Sequence, residues 1–433
     1  MTRHEPFGNT STPFAEPSWY TGLPTPYYKD SHVRLRKAAR EWTETHLMDQ
    51  AHAWEENGSI DHSTFQQAAK DGLILPNIGG LSIPKEWTQH GKIIGDISPE
   101  EWDGFHAFIL QDELARCGSA GAVGGLFSGM AYGAPLIWNY GSPYLRENVM
   151  PNLLNGSKRT CITITEPNAG SDVKNISTTA EKTPDGKFWI INGGKKWITN
   201  GIWCDYFTTT VRTRGNPGDP SGISVIVVPK GPGVKVSRMK MGGVWSSGTS
   251  QVIFDNVKVP IEYLVGLENE GFKYIMSNFN HERLNIAFSA HRSARICLED
   301  AFKHAQRRKV FGKPLIELSL IRHKLAQMTR LIESQHAWME QLVYQLNGLS
   351  SAEGGHLLGG QTALLKAHCG VTLEHVAREA VQIMGGLGYT RGGIGERIER
   401  IWREAKRGFE LDVHKITCLH RTTKNATCYY CIT

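Results

Sequence analysis

The hydrophobic period of this chain changes twice, and that order limits the folds open to it. From His32 to about Asn155 apolar positions recur at helical spacing, as in Leu35, Ala38, Ala39, Trp42 and His46. Gln111 to Ala115, a small-residue run from Gly118 to Gly133, and Ala134 to Tyr140 suggest further, closely packed helices. Near Thr160 the pattern becomes β-like. Lys187 to Asn192 (KFWIIN) follows the turn Pro184-Asp185-Gly186, and Tyr206 to Arg212, Ile223 to Val228, Val234 to Ser237 and Gln251 to Val257 continue it between Gly/Pro turns. From Gly271 the chain is helical again, with Leu284, Ala287, Ala294, Leu298, Ala301 and Ala305 on one long helix. Gly/Ser-rich Gly348 to Gly360 and Gly385-Gly386-Leu387-Gly388-Tyr389 read as breaks. The expectation is an α+β chain: an N-terminal extension over 1–30 lying extended on the surface, a helical domain over 31–156, a central β domain over 157–263, a C-terminal helical bundle over 264–406, and a tail over 407–433.

With 433 residues there is enough chain for two or three domains. Hydrophobic content of 40% and charged content of 21% are those of a soluble globular protein. A net charge of +6 suits a solvated surface or an anionic ligand such as a nucleotide cofactor or CoA. No zinc-finger, homeodomain or RRM-type signature supports nucleic acid as a partner. The eight cysteines are scattered, as in a reducing compartment, and Cys428-Tyr-Tyr-Cys431 lacks the companions a metal or redox site needs. No run of 18 apolar residues marks a membrane span. The N-terminus lacks a signal-peptide core, and Cys-Ile-Thr is not a peroxisomal ending. Cytoplasm is the default location, with mitochondrion and peroxisome as alternatives.

Two segments carry the chemistry. Thr165-Glu-Pro-Asn-Ala-Gly170-Ser171-Asp-Val173 is a small-residue turn, and Gly193-Gly-Lys-Lys-Trp197-Ile-Thr199-Asn-Gly201 supplies an indole and a hydroxyl. A flat redox heteroaromatic needs such a setting: backbone N–H groups that can approach its polar edge, hydroxyls for its ring nitrogens and an aromatic cover for one face. Further along stand Arg308-Lys-Val-Phe311-Gly-Lys-Pro314 and Gln382-Ile-Met-Gly-Gly386. A guanidinium suits a pyrophosphate through paired, charge-assisted hydrogen bonds.

Together these motifs resemble those of the acyl-CoA dehydrogenase family, over residues 30 to 406. The phrase from Glu16 to Tyr28 is similar to fungal members. The resemblance implies FAD, lined by Ile162, Ile164, Thr165, Gly170 and Ser171, with Trp197 and Thr199 at the isoalloxazine and Thr199 facing N5. It implies that Arg308 and Phe311 reach the FAD of a neighbouring subunit in a homotetramer or homodimer. Gln382 and Gly386 would lie at the adenosine end, and Ser171 and Arg283 at the substrate. The implied activity is α,β-desaturation of an acyl-CoA thioester, with an electron-transfer flavoprotein or similar acceptor as partner.

Such a reaction needs a base at the substrate Cα. Many relatives carry it as a Glu on a C-terminal loop. Here, counting on from Arg403-Glu-Ala-Lys406, that position is Asp412, and no glycine-rich phrase follows. Isovaleryl-CoA and long-chain members place a Glu on the helix after the β domain. Met276-Ser-Asn-Phe-Asn-His-Glu282-Arg283-Leu284 aligns with that phrase without a gap, so Glu282 is the preferred base and Asp412 the alternative. Against this stands the plain reading that Glu282 and Arg283 make surface ion pairs. The tail from Leu411 to Thr433 has no helical period and departs from the family. Asp412 keeps a nitroalkane-oxidase type of flavin oxidase in view, and the broken tail a ligand-binding flavoprotein without turnover. Acyl length, branching and pathway, whether fatty-acid or specialised metabolism, are not legible.

Overall fold

The computed structural model describes residues 3–410. Nine α-helices precede the sheet: α1 (Asp30–His46), α2 (Ala51–Asn57), α3 (His62–Lys70), α4 (Ile74–Gly79), α5 (Gly104–Ala115), α6 (Ala120–Val123), α7 (Gly129–Tyr140), α8 (Pro143–Asn148) and α9 (Met150–Leu154), with a π-helical turn (Gly124–Ser128) between α6 and α7. Strands follow as β1 (Thr160–Thr163), β2 (Thr179–Lys182), β3 (Phe188–Ile198), β4 (Tyr206–Arg212), β5 (Ile223–Pro229), β6 (Val234–Arg238), β7 (Ser250–Pro260) and β8 (Leu264–Val265). Then come α10 (Gly271–Arg307), a hairpin of β9 (Lys309–Val310) and β10 (Lys313–Pro314), α11 (Ser319–Asn347), α12 (Ser351–Met384) and α13 (Glu396–Glu410).

The strand order is β6-β7-β3-β2-β4-β5-β8, and β1 pairs in parallel with β4 from Thr160↔Tyr206 to Thr163↔Thr209. Alternation along β5 divides two cores. Ile223, Val225 and Val227 join the helices' core, while Ile226 and Val228 join Trp189, Phe207 and Phe254 in a core of the sheet itself. α10 runs through the C-terminal bundle and packs on α12, α11 and α13 as well as on α5 and α7. The N-terminal helices and the bundle therefore share one core.

Three expectations are corrected. The N-terminal segment lies on the surface only in part: much of it is exposed, but it is anchored by buried residues. Trp19, Tyr20 and Tyr28 are buried, and Trp19 stacks on Tyr28 with centroids 4.0 Å apart. The buried Glu16 carboxylate ion-pairs with Arg40, Arg116 and Arg292, and Tyr20 donates to Glu113 at 2.5 Å. Charge pairing with distant helices, not local composition, decides its position. The Gly348 to Gly360 stretch is not a break throughout. The Ser350 hydroxyl accepts the Glu353 N–H, Glu353 answers at the Ser350 N–H, and α12 runs on through its glycines. A Cβ at Gly354 would lie 3.0 Å from Leu346, and one at Gly359 would lie 3.3 Å from Asn280, so small residues let neighbouring helices close in. Finally, the strand begun at KFWIIN runs on to Ile198, with register shifts between Ile191 and Gly193 and between Lys195 and Ile198.

The stretch Ala120–Tyr140 is long and apolar enough to cross a membrane by composition, yet it is mostly buried inside the protein. Cys117, Cys161, Cys204, Cys297 and Cys369 are free and buried among the described residues; Cys428 and Cys431 lie outside them.

Candidate functional site

The second register shift in β3 places Lys196 and Trp197 outside the ladder. Bulges re-aim side chains in this way. Trp197 sits at φ 62° and stays 44% exposed, unusual for an indole on a strand that is otherwise buried at alternate positions. Thr165 faces it: its hydroxyl donates to the Lys196 carbonyl at 2.5 Å, and its own carbonyl accepts the Lys196 N–H at 2.9 Å. The two motifs are thus stitched edge to edge.

Beneath them the Lys195 ammonium is fully buried and donates to Ile164 O (3.0 Å), Thr210 Oγ1 (3.1 Å) and Glu166 Oε1 (2.8 Å). Glu166 also accepts from the Ser177 and Thr178 N–H groups. Burial pushes the Lys195 amine down to about 8, against the pull of Glu166. For Glu166 burial acts upward, but Lys195 and these donors outweigh it and hold the carboxyl well below the usual range. The pair locks the turn that carries Gly170 and Ser171. Sequence reading passed over it because a lysine beside Trp197 reads as surface.

α7 joins this sheet edge to α10. A Cβ at Gly133 would come 2.8 Å from the Cys161 carbonyl carbon, so glycine lets α7 lie directly on β1, which carries Ile162. On α10, Glu282 is half-buried. Asn278, one turn earlier, donates to Glu282 Oε1 at 2.9 Å and to the Tyr132 carbonyl of α7 at 3.1 Å. Burial lifts the Glu282 carboxyl to about 8, opposed by Arg283 and the Asn278 bond. Glu282 makes no ion pair among the described residues, and Arg283 donates to Asn280 at 2.9 Å, so surface ion pairing does not account for either. His281 beside them is held neutral: burial pushes it down to about 4, with Asn77 and Ala131 backbone groups against it.

Other candidates lie apart. Arg308 is exposed at the end of α10, and Phe311 is 93% exposed at the tip of the β9–β10 hairpin. Phe311 (φ 49°) and Gly312 (φ 81°) form its two-residue, left-handed turn. Gln382 and Gly386 are exposed at the end of α12. No hydrogen bond, ion pair or ring contact among the described residues joins these four to Thr165, Trp197 or Glu282. Asp412 lies outside the described residues.

The residues present fit a flavin. The Ser171 and Thr199 hydroxyls make no hydrogen bond among the described residues, Gly170 opens on free space, and an exposed indole stands beside them in a strained conformation. Helices before and after a sheet, a bulged aromatic strand and a half-buried carboxylate on the following helix set out the three-domain acyl-CoA dehydrogenase fold. This chain belongs to the acyl-CoA dehydrogenase family: the N-terminal domain model matches residues 29–157, the middle domain 161–257 and the C-terminal domain 269–408. It is 46% identical to acyl-CoA dehydrogenase apdG of Emericella nidulans, covering 91% of this chain and 90% of that protein. It is 40% identical to acyl-CoA dehydrogenase AFT10-1 of Alternaria alternata, covering 92% of each. The acyl-CoA dehydrogenase structure from Geobacillus kaustophilus superposes with a TM-score of 0.82 at 26% identity, over 93% of this chain and 100% of that one.

Proposed function

We propose that this protein is an FAD-dependent acyl-CoA dehydrogenase with Glu282 as its base. The observation that carries the reading is a half-buried carboxylate with no ion pair among the described residues, lifted to about 8, on a helix tied to α7 and through it to β1. A base poised near neutral pH suits removal of the proton α to a thioester. FAD, when bound, supplies the hydride acceptor.

Ile162, Ile164, Thr165, Gly170, Ser171, Trp197 and Thr199 would hold the cofactor, with hydroxyls and backbone N–H groups toward its polar edge. Ser171 and Arg283 would face the acyl-CoA. Arg308 and Phe311 would serve the cofactor of a second subunit in a homo-oligomer, and Gln382 and Gly386 the adenosine end of FAD. Support for this is an aromatic ring 93% exposed in a left-handed turn, a conformation that is strained for phenylalanine. An electron-transfer flavoprotein or similar acceptor would reoxidise the enzyme.

The test is anaerobic bleaching of the bound flavin by a panel of acyl-CoAs, for wild type and Glu282→Gln. Bleaching in the wild type and its loss in the variant supports the reading. Equal bleaching in both removes Glu282 as base. Rapid peroxide formation in air would favour an oxidase instead.

A further inference from the structure

Asn278 makes an arrangement that helix formation does not require. Asparagine is among the poorer helix formers, and here it is buried inside α10. Its amide nitrogen reaches two acceptors on different elements: the Tyr132 carbonyl on α7 at 3.1 Å and Glu282 Oε1 at 2.9 Å. An amide nitrogen has two hydrogens, so both bonds form together. Among the described residues no hydrogen bond reaches Glu282 Oε2.

The charged group acting on Glu282 is Arg283, on the same helix. His281, also on α10, is neutral. Asn77 of α4 and Ala131 of α7 bond His281 through their backbones, and the Tyr132 carbonyl of α7 accepts from Asn278. These bring no carboxylate or cation. Among the described residues the bond from Asn278 is therefore the one direct hydrogen bond favouring the ionised form.

We propose that Asn278 is a positioning residue: it ties Oε1 of Glu282 to α7 and leaves Oε2 as the oxygen that receives the substrate's α proton. This rests on the reading of Glu282 as the base. A glutamate has three side-chain torsions, and an unanchored carboxylate samples several positions. One fixed oxygen holds the other at a set distance from α7, hence from the sheet edge on which α7 lies. A hydrogen bond to the charged form also stabilises it and offsets part of the burial.

The experiment uses FAD-loaded protein, with Asn278→Leu as the near-isosteric variant lacking the donor. Asn278→Ser, smaller and still a donor, is the second variant should leucine disturb the helix. Protonation of Glu282 is read directly, as the carboxyl band in infrared difference spectra of each protein titrated without substrate, with Glu282→Gln assigning the band. The pH profile of flavin reduction by the best acyl-CoA is measured alongside. In Asn278→Leu the band's midpoint should move up by about one pH unit, the value of a hydrogen bond to a charged group. The acid limb of the rate should follow it, kcat should fall about tenfold, KM should hold, and Asn278→Ser should fall between. An unmoved band and limb in both variants, with Glu282→Gln inactive, overturns the role of Asn278 and leaves the base in place. If Glu282→Gln reduces its flavin like wild type, the base assignment fails first.

Discussion

The Asn200 side chain accepts the Gly129 N–H at 2.7 Å and donates to the Gly124, Gly125 and Ser247 carbonyls at 3.0, 3.1 and 2.9 Å. One β-domain residue thus satisfies backbone groups that the π turn leaves unpaired, and binds the turn before α7 to the strand that bears Trp197. π turns of this kind recur at functional sites. Asn200→Gly keeps the left-handed backbone (φ 65°) and removes the bonds. It should destabilise the protein by about 3 kcal/mol, from buried carbonyls left without donors. The denaturant midpoint checks this, and a loss below 1 kcal/mol would show that water replaces the side chain.

Glu16 faces three guanidinium groups from α1, α10 and the end of α5. Removing it strands buried cations, although Arg292 retains Asp112 and Arg40 retains Glu113. Glu16→Ala should lower stability by about 3–5 kcal/mol, and Glu16→Gln by less. Thermal unfolding of the two variants measures the difference, and equal melting temperatures would mean that the carboxylate's charge is not what matters.

Trp197 carries a left-handed strain that glycine would relieve. Trp197→Gly should leave the melting temperature of the cofactor-free protein within a few degrees of wild type while weakening FAD retention about tenfold, the stacking of one aromatic ring. Flavin fluorescence released on dilution gives the affinity. Undiminished retention would place the ring elsewhere.

Glu282 also sets a pH dependence of stability. Its carboxyl binds a proton more tightly folded, at about 8, than unfolded, near 4.5. Between those values the folded state holds the extra proton, so stability declines as pH rises, and the full loss stands above pH 8. Glu282→Gln removes this dependence. The variant should match wild type near pH 5 and exceed it by about 2 kcal/mol at pH 9, after discounting for solvent at a half-exposed group. Glu404, lifted to about 7 by its burial beside Glu55, acts in the same direction in both proteins and cancels. Paired melts across pH decide it.

Phe311→Asn keeps a residue that tolerates the turn's positive φ and removes the aromatic ring. If the tip docks on a second subunit, light scattering should show smaller particles, with flavin lost in parallel. Unchanged mass would show a solvated hairpin.

The α, β, α order was legible because apolar period follows from local geometry. Glu282, Thr165 and Trp197 were singled out from the phrases around them, and the structure places Glu282 half-buried on α10, Thr165 bonded to the Lys196 backbone and Trp197 exposed at the bulge of β3. What escaped reading depended on partners far along the chain. Glu16 reads as a surface acid until Arg40, Arg116 and Arg292 close around it. Gly354 and Gly359 read as helix breakers because their value lies in the approach of Leu346 and Asn280. Asn278 reads as a weak helical residue, since the carbonyl that explains it is on another helix. Lys195 reads as solvated because nothing nearby in sequence announces that Glu166 lies beneath it.

The N-terminal clamp has a consequence for how the chain is made. Glu16 leaves the ribosome early, yet its partner Arg292 follows 276 residues later. Until α10 has been synthesised, this carboxylate and the aromatic residues around it lack their final counterpart. The first helices can form early, but their closing piece waits on the far side of the β domain. Completion of the helical core is therefore a late, long-range event, and a chain stopped before α10 would hold Glu16 without Arg292 and Tyr28 without Glu340.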